Sequence, residues 1–331
     1  MKNLNPIKIT YHQFGSPIDV LQLETLELVK PGPREVAVRL LASPINPVDD
    51  IIISGGYPPM NQLPGIPGVE GVGEIYAVGE MIDKALLNKH VNMPPGGAWQ
   101  ESVIVNPDEL TYIPNDIPVE MAAMAFINPP TAWFLLHDFV TLAPGDWIIQ
   151  NAANSSVGMC IIQMAKHFGF KTINVVRDVA LWEKPLKEMG ANEVVQQDSE
   201  WFKDEKYCNK AKLALNAVSG HTILDLVAAL APGGIHVSYG SLVTEPIIFP
   251  VGPLMSNNIA LKGFSLFSKL KMNIFKEVLN SIFDFMRKGI IVIPVEKKYA
   301  LSDVKEAIKH EEEFHRKGKV LLISNWNPPT D

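Results

Sequence analysis

The chain is predicted to be α/β, with a doubly wound parallel sheet joined to a β-rich, partly open barrel. Three observations predict this over its 331 residues: short apolar strands alternating with helical patterns through the middle, a proline-rich first third of short runs, and a tail too short to fold alone.

Residues 1–120 hold more than half of the 26 prolines and carry alternating runs such as 35–41, the texture of a partly open barrel. Around 116–123 a capped helix is expected to lead the chain onward. A strand at 147–151 stops at a run of small residues, 152–158. Val157, Ile161, Ile162, Ala165 and Phe168 then recur at helical spacing. A second strand follows at 172–176 and ends in Arg177. Further strands are expected at 193–195, 212–218 and 234–240, with helices at about 181–189 and 221–230. Ile274, Val278, Ile282, Phe285 and Met286 make one apolar stripe on a helix at 273–287. Beyond it lie an apolar run at 290–295, a helix carrying Leu301, Val304, Ala307 and Ile308, and a strand at 319–323. The expected organisation is therefore 1–120 completed by 290–331, and a second domain at 121–289.

Bulk properties exclude several classes of function. Hydrophobic residues make up 47% and charged residues 20%, ordinary for a globular enzyme, and a net charge of -7 argues against a nucleic-acid binder. The two cysteines, Cys160 and Cys208, build neither a disulfide framework nor a cysteine zinc site. The first residues show no signal-like apolar stretch or Arg-rich leader, and no run has membrane-span length. A cytoplasmic protein without membrane partners is the expectation.

The 147–177 segment carries the chemistry. Small residues let a phosphate approach the backbone, and the free amides of a helix N-terminus favour a pyrophosphate there. Asn154 or Ser155 is expected to cap that helix. An arginine at position 177, where a ribose 2′-position falls in a dinucleotide fold, favours NADP(H) over NAD(H). Of the three-glycine fingerprint only Gly158 remains.

With the order barrel, dinucleotide domain and return tail in view, the chain resembles the medium-chain dehydrogenase/reductase superfamily, which implies a GroES-like barrel and a Rossmann domain. Its zinc branch carries a Gly-His-Glu segment and an early cysteine. Here those places read Gly68-Val69-Glu70 and Ser43-Pro44-Ile45-Asn46, so a zinc-free member is implied. The phrases at 43–47, 149–155, 172–178, 213–218 and 261–264 are similar to mitochondrial-type trans-2-enoyl thioester reductases. That resemblance implies NADPH-dependent reduction of the C2–C3 double bond in fatty acid metabolism, on a coenzyme A or acyl carrier protein thioester. It implies Tyr57, on the Ser54-Gly55-Gly56-Tyr57-Pro58 turn, as proton donor. It also implies cofactor contacts at Asn128, Asn154, Ser155, Ser156, Val157, Arg177, Tyr239, Gly240, Phe264 and Lys319. Ser156 departs from the family's usual glycine, Val179 from a second arginine, and Ser265 from a tryptophan.

Hydride must reach the β-carbon and a proton the α-carbon. Tyrosine side chains ordinarily titrate at about 10, so a phenol can donate at neutral pH without a metal. Asn46 and Asn128 offer amides to orient the tyrosine or the cofactor carboxamide. Lys262, Lys269, Lys271, Lys276, Arg287 and Lys288 form a basic segment in an acidic chain, suited to an anionic carrier or equally to a solvated helix face. A homodimer is implied, with 247–250 and 259–262 as candidate edge strands. Alternatives are a zinc-independent NADPH quinone or enone oxidoreductase and a dinucleotide-binding protein without turnover.

Overall fold

The structure, a computed structural model, describes residues 5–329 except 242, 244 and 250. It forms two compact units, Met1–Ile127 with Ile293–Asp331, and Asn128–Val292.

The first unit opens with a two-stranded ribbon, β1 (Ile7–Thr10) against β2 (Gln22–Thr25), with the short helix α1 (Pro17–Val20) between them. Then come β3 (Val36–Pro44), α2 (Pro47–Ile53), β4 (Val72–Val78), β5 (His90–Asn92), β6 (Ser102–Val105), β7 (Tyr112–Ile113) and α3 (Val119–Ala123). The helix expected to begin capped near 116 starts at Val119. Pro118 stands at its N-cap position, which carries no side-chain cap bond.

The second unit continues with α4 (Asn128–His137), β8 (Trp147–Gln150), α5 (Ser156–Phe168), β9 (Lys171–Val176), α6 (Val179–Met189), β10 (Glu193–Gln196) and β11 (Ala211–Asn216). It ends through α7 (Ile223–Ala229), β12 (Leu230–Ser238), α8 (Val251–Ser256), β13 (Ala260–Gly263) and α9 (Asn273–Arg287). The chain then returns to the first unit with β14 (Val295–Ala300), α10 (Val304–Glu311) and β15 (Lys319–Ile323).

In the first unit β3 is the organising strand. One side pairs with β4, while the other is shared by β6 along its first half and β15 at its end, all antiparallel. β3 is buried on most of both faces rather than alternating in and out as the 35–41 run predicts, and α3 packs against it. Val36, Val38 and Leu40 join Ile9, Trp99, Val320 and Leu322 in one core.

The second unit is built on a six-stranded sheet of order β10-β9-β8-β11-β12-β13, parallel throughout. The order reverses at β8. Its successor β9 lies on one side and β11 on the other, the switch point at which doubly wound sheets open a crevice beyond their carboxyl ends. α5 is buried from Gly158 to Ala165, and fully burying Ile161 or Ile162 stabilises the fold by about 2 kcal/mol each. α9 spans the residues its periodicity predicts, although Ile274 is exposed and Phe275 is buried in its place, stacked on Phe134 of α4. Of the two candidate edge strands, β13 is one. Residues 247–249 are not strand, and Pro250 lies outside the described residues.

Candidate active site

In a parallel sheet the carboxyl ends of all strands share one edge, and there the second unit gathers most of its predicted ligand contacts. The chain leaves β8 through Ala152, a non-glycine residue in the left-handed region at φ 46°, and reaches the N-cap of α5 at Ser155, whose hydroxyl accepts the Gly158 N–H at 3.1 Å. Of the two caps the sequence offers, Ser155 is used. A Cβ at Gly158 would lie 2.6 Å from the Ala153 carbonyl oxygen, so only glycine lets α5 pack this close to the turn. Asn154, Ser155, Ser156 and Val157 therefore surround first-turn amides that precede the helix's own i to i−4 bonds, the arrangement that receives an anion.

Beneath the turn lies polar structure that the apolar reading of 147–151 missed. Gln150, fully buried, donates through Nε2 to the Gly158 carbonyl (3.0 Å) and to Asn174 Oδ1 (2.8 Å). Asn151 Nδ2 donates to Asn216 Oδ1 at 2.8 Å, and that oxygen also accepts the N–H groups of Val218 and Ser219. Asn151 Oδ1 in turn accepts the Ala217 N–H. The signal available in the sequence was an amide at the end of each of two apolar strands.

Arg177 follows β9, exposed, and its carbonyl accepts from Gln196 Nε2 while Gln196 Oε1 accepts the Val179 N–H. One glutamine thus clasps the turn that presents the guanidinium. Tyr239 and Gly240 follow β12, and Phe264 follows β13 with its N–H on the Ser238 carbonyl. The Tyr239 hydroxyl is enclosed beside Ser155, the cap of α5. Burial pushes its pKa up, with Ser155 pulling the other way. First-turn amides of a capped helix beside a buried phenol fit the pyrophosphate end of a dinucleotide. Phe264 and Ser265 also line an open cavity of about 440 Å³ with Asp138, Phe139 and Lys269. Lys269 is paired with Asp138 (2.7 Å) and Lys288 with Asp284 (3.2 Å), so part of the basic segment is neutralised within the unit. Asn128 stands apart from this edge, opening α4 with 7% exposure.

Tyr57, Asn46 and Lys319 belong to the first unit. Asn46 is the N-cap residue of α2, and its N–H donates to the Asp49 carboxylate, the reciprocal half of a capping box. Beyond α2 the chain turns through Gly55 at φ 85° to Tyr57, half-buried, whose carbonyl accepts the Met60 N–H. The positive φ requires the glycine of that turn. Lys319, close in sequence to Arg316 and Lys317, lies inside the first unit. It is 5% exposed, and Nζ donates to the Ile45 carbonyl (2.6 Å) and to Asn46 Oδ1 (2.7 Å). Asn46 Nδ2 donates to Glu70 Oε1 at 2.9 Å, and Glu70 Oε2 accepts the N–H groups of Phe126 and Ile127. Burial pushes Glu70 up to about 7 against the pull of Asn46, Lys319 and these two amides; Asp49 is likewise pushed up to about 7, and Lys319 is pushed down by burial. Asp49 and Glu70 escaped the sequence reading because nothing local marks a carboxylate as buried. Ser43 is committed to the core, donating to the Glu70 carbonyl (2.6 Å) and accepting from Trp99 Nε1 (3.1 Å).

Comparison with known proteins follows the same division. Residues 32–115 match the alcohol dehydrogenase GroES-like domain family, and residues 156–284 match the zinc-binding dehydrogenase family. A mitochondrial enoyl-[acyl-carrier-protein] reductase of Bos taurus is 38% identical over 311 residues, covering 89% of this chain and 82% of that protein. Among solved structures, the Etr1p/NADP/crotonyl-CoA complex has a TM-score of 0.86 at 26% identity, covering 96% of this chain and 99% of that one. A putative NADPH:quinone reductase from Bacillus thuringiensis has a TM-score of 0.87 at 29% identity, with the same coverage. The expectation of a cytoplasmic location is overturned by the relatives, which are named mitochondrial.

Proposed function

We propose, from the premise that this chain belongs to the mitochondrial enoyl-[acyl-carrier-protein] reductase family of medium-chain dehydrogenase/reductases, that it reduces the C2–C3 double bond of trans-2-enoyl thioesters with NADPH. The observation that carries the cofactor half of this reading is the Ser155-capped turn at the carboxyl end of β8, with Arg177 at the end of β9 beside it. Bound NADPH supplies the hydride to the β-carbon. The first-turn amides of Ser156 and Val157 hold the pyrophosphate, and Arg177 pairs with the 2′-phosphate. Tyr239, Gly240, Phe264 and Asn128 would complete the contacts to the dinucleotide. Tyr57 delivers the proton to the α-carbon as charge collapses from the thioester oxygen. Asn46 caps the helix that leads into the turn carrying Tyr57, and Lys319 bonds to Asn46.

Coenzyme A thioesters are the substrate class, and acyl carrier protein is the macromolecular carrier in this reading. A second copy of the chain pairs along β13, the sheet edge, where Leu261 is exposed, as are Val251 and Met255 of α8.

The test is steady-state NADPH oxidation with crotonyl-CoA and longer enoyl-CoA substrates, set against a panel of quinones and repeated with NADH. Turnover of enoyl thioesters but not quinones is expected. The reverse result would favour a quinone reductase, the reading supported by likeness to the Bacillus thuringiensis protein. NADPH binding without turnover of anything would leave a dinucleotide-binding protein. If Tyr57→Phe reduces enoyl thioesters at the wild-type rate, the proton donor is misassigned.

A further inference from the structure

The first unit buries one cation and two carboxylates in a single bonded set. Lys319 is 5% exposed, and Asp49 and Glu70 are 1% exposed. Withdrawing ions from water costs several kcal/mol each, so such a set is weak as a source of stability; its better-attested use is to impose one geometry. Here the geometry imposed is that of Asn46. An ammonium group has no acceptor, so the Asn46 amide can face Lys319 only with its oxygen, which leaves its nitrogen for Glu70. Its backbone N–H is fixed by Asp49, and Asp49 is held in turn by the Val69 N–H at 2.9 Å. All three polar groups on Asn46 that face this set are therefore assigned.

Asn46 starts α2, and α2 ends in the turn that carries Tyr57. Gly56 donates to the Ile51 carbonyl at 2.8 Å, Gly55 to that of Ile52 at 3.0 Å, and Asn61 Nδ2 reaches back to the Gly55 carbonyl at 2.9 Å. A helix of 7 residues spans about 10 Å as a stiff body, so its N-cap sets the direction of its far end. We propose that Lys319, with Glu70, is a positioning residue for Tyr57, acting through the oriented amide of Asn46 and the body of α2. This rests on Tyr57 being the proton donor. It assigns the buried ammonium to the proton-transfer side of the reaction.

A double-mutant cycle tests it. Lys319→Met is expected to lower kcat for crotonyl-CoA about tenfold while the Kd for NADPH, read by fluorescence titration, stays within about twofold. In a Tyr57→Phe background the same change should alter kcat by less than about twofold, because the group it positions is already gone. Equal losses in both backgrounds overturn the proposal. So does a rise in NADPH Kd that matches the loss of kcat/KM, which would make Lys319 a cofactor contact instead. If Tyr57→Phe itself is fully active, the proton-donor reading fails, and positioning is then judged by hydrogen exchange. Lys319→Met should speed exchange of the Gly55 and Gly56 amides about tenfold, and unchanged exchange sinks it. Should Lys319→Met not fold, Asn46→Ala, which removes the link and keeps the ions, must give the same pattern of kcat, Kd and exchange.

Discussion

Asn151 Nδ2 donates to Asn216 Oδ1 at 2.8 Å, fastening the carboxyl ends of β8 and β11 at the place where the strand order reverses. The oxygen that receives it also takes the Val218 and Ser219 N–H groups, so one side chain closes three donors. Asn216→Ala leaves all three buried or half-buried without that acceptor. A loss of about 2–3 kcal/mol in unfolding free energy is expected from denaturant titration, with weaker NADPH binding because the β8 turn is freed. A change below half a kcal/mol would mean that water replaces the amide at little cost.

In the proposed reading Arg177 alone pairs with a 2′-phosphate, Val179 standing where a second arginine would add to it. A charge-assisted bond contributes about 1.5–3 kcal/mol. Arg177→Gln should therefore cut the preference for NADPH over NADH, measured as the ratio of kcat/KM values, by about 10- to 100-fold. NADH kinetics should hardly move. An unchanged ratio would place the 2′-phosphate elsewhere.

Glu70 and Asp49 are both pushed up to about 7 by burial, and the cation facing them is Lys319. A carboxyl whose folded pKa lies above its ordinary value stabilises the fold fully below that ordinary value, and the contribution is lost as pH rises through the folded one. These two groups thus favour the folded state on the acid side of about 7. Lys319, pushed down, has the opposite sign: its contribution is lost as pH falls below the ordinary lysine range. Lys319→Met removes the pull that holds both carboxyls down, so the alkaline loss should extend to higher pH. Melting temperature followed from about pH 5 to pH 9 should fall more steeply for the variant than for the wild type above neutrality. Parallel curves would disprove the coupling.

Ser265 lines the cavity that Phe264 shares with Phe139 and the Lys269–Asp138 pair. Ser265→Trp fills part of about 440 Å³ with an indole and should raise KM for long enoyl-CoA substrates more than for crotonyl-CoA, by about tenfold if the chain runs there. Equal effects on short and long substrates would show that the acyl chain lies elsewhere.

Much of the fold was legible because its signals are local. The period of α9, the strand at β15 and the strand, turn and helix from β8 to α5 depend on neighbours within a few residues, and their bounds agree with the pattern to within a residue or so. Ser155 was one of two named caps for the same reason. Less legible were features set by distant partners. β3 looked amphipathic because the burial of both its faces comes from distant segments, α3 among them, rather than from its own period. Val278, Ile282, Phe285 and Met286 are buried as the period expects, but at its start Phe275 rather than Ile274 is buried, because Phe134 of α4 stacks on Phe275.

By itself the sequence determined the two-part α/β order, the Ser155-capped turn after β8 and the arginine after β9, since periodicity, small residues and a strand-end charge act over short stretches of chain. Only the tertiary structure decided that Lys319 is buried against Asn46, that Glu70 and Asp49 share its surroundings, and that Asn151 and Asn216 join two strands. The physical reason is that a charged or amide side chain carries no local mark of its partner. Lys319 and Asn46 are brought together only when β15 returns to pair with the end of β3, and water is excluded from around them at the same moment.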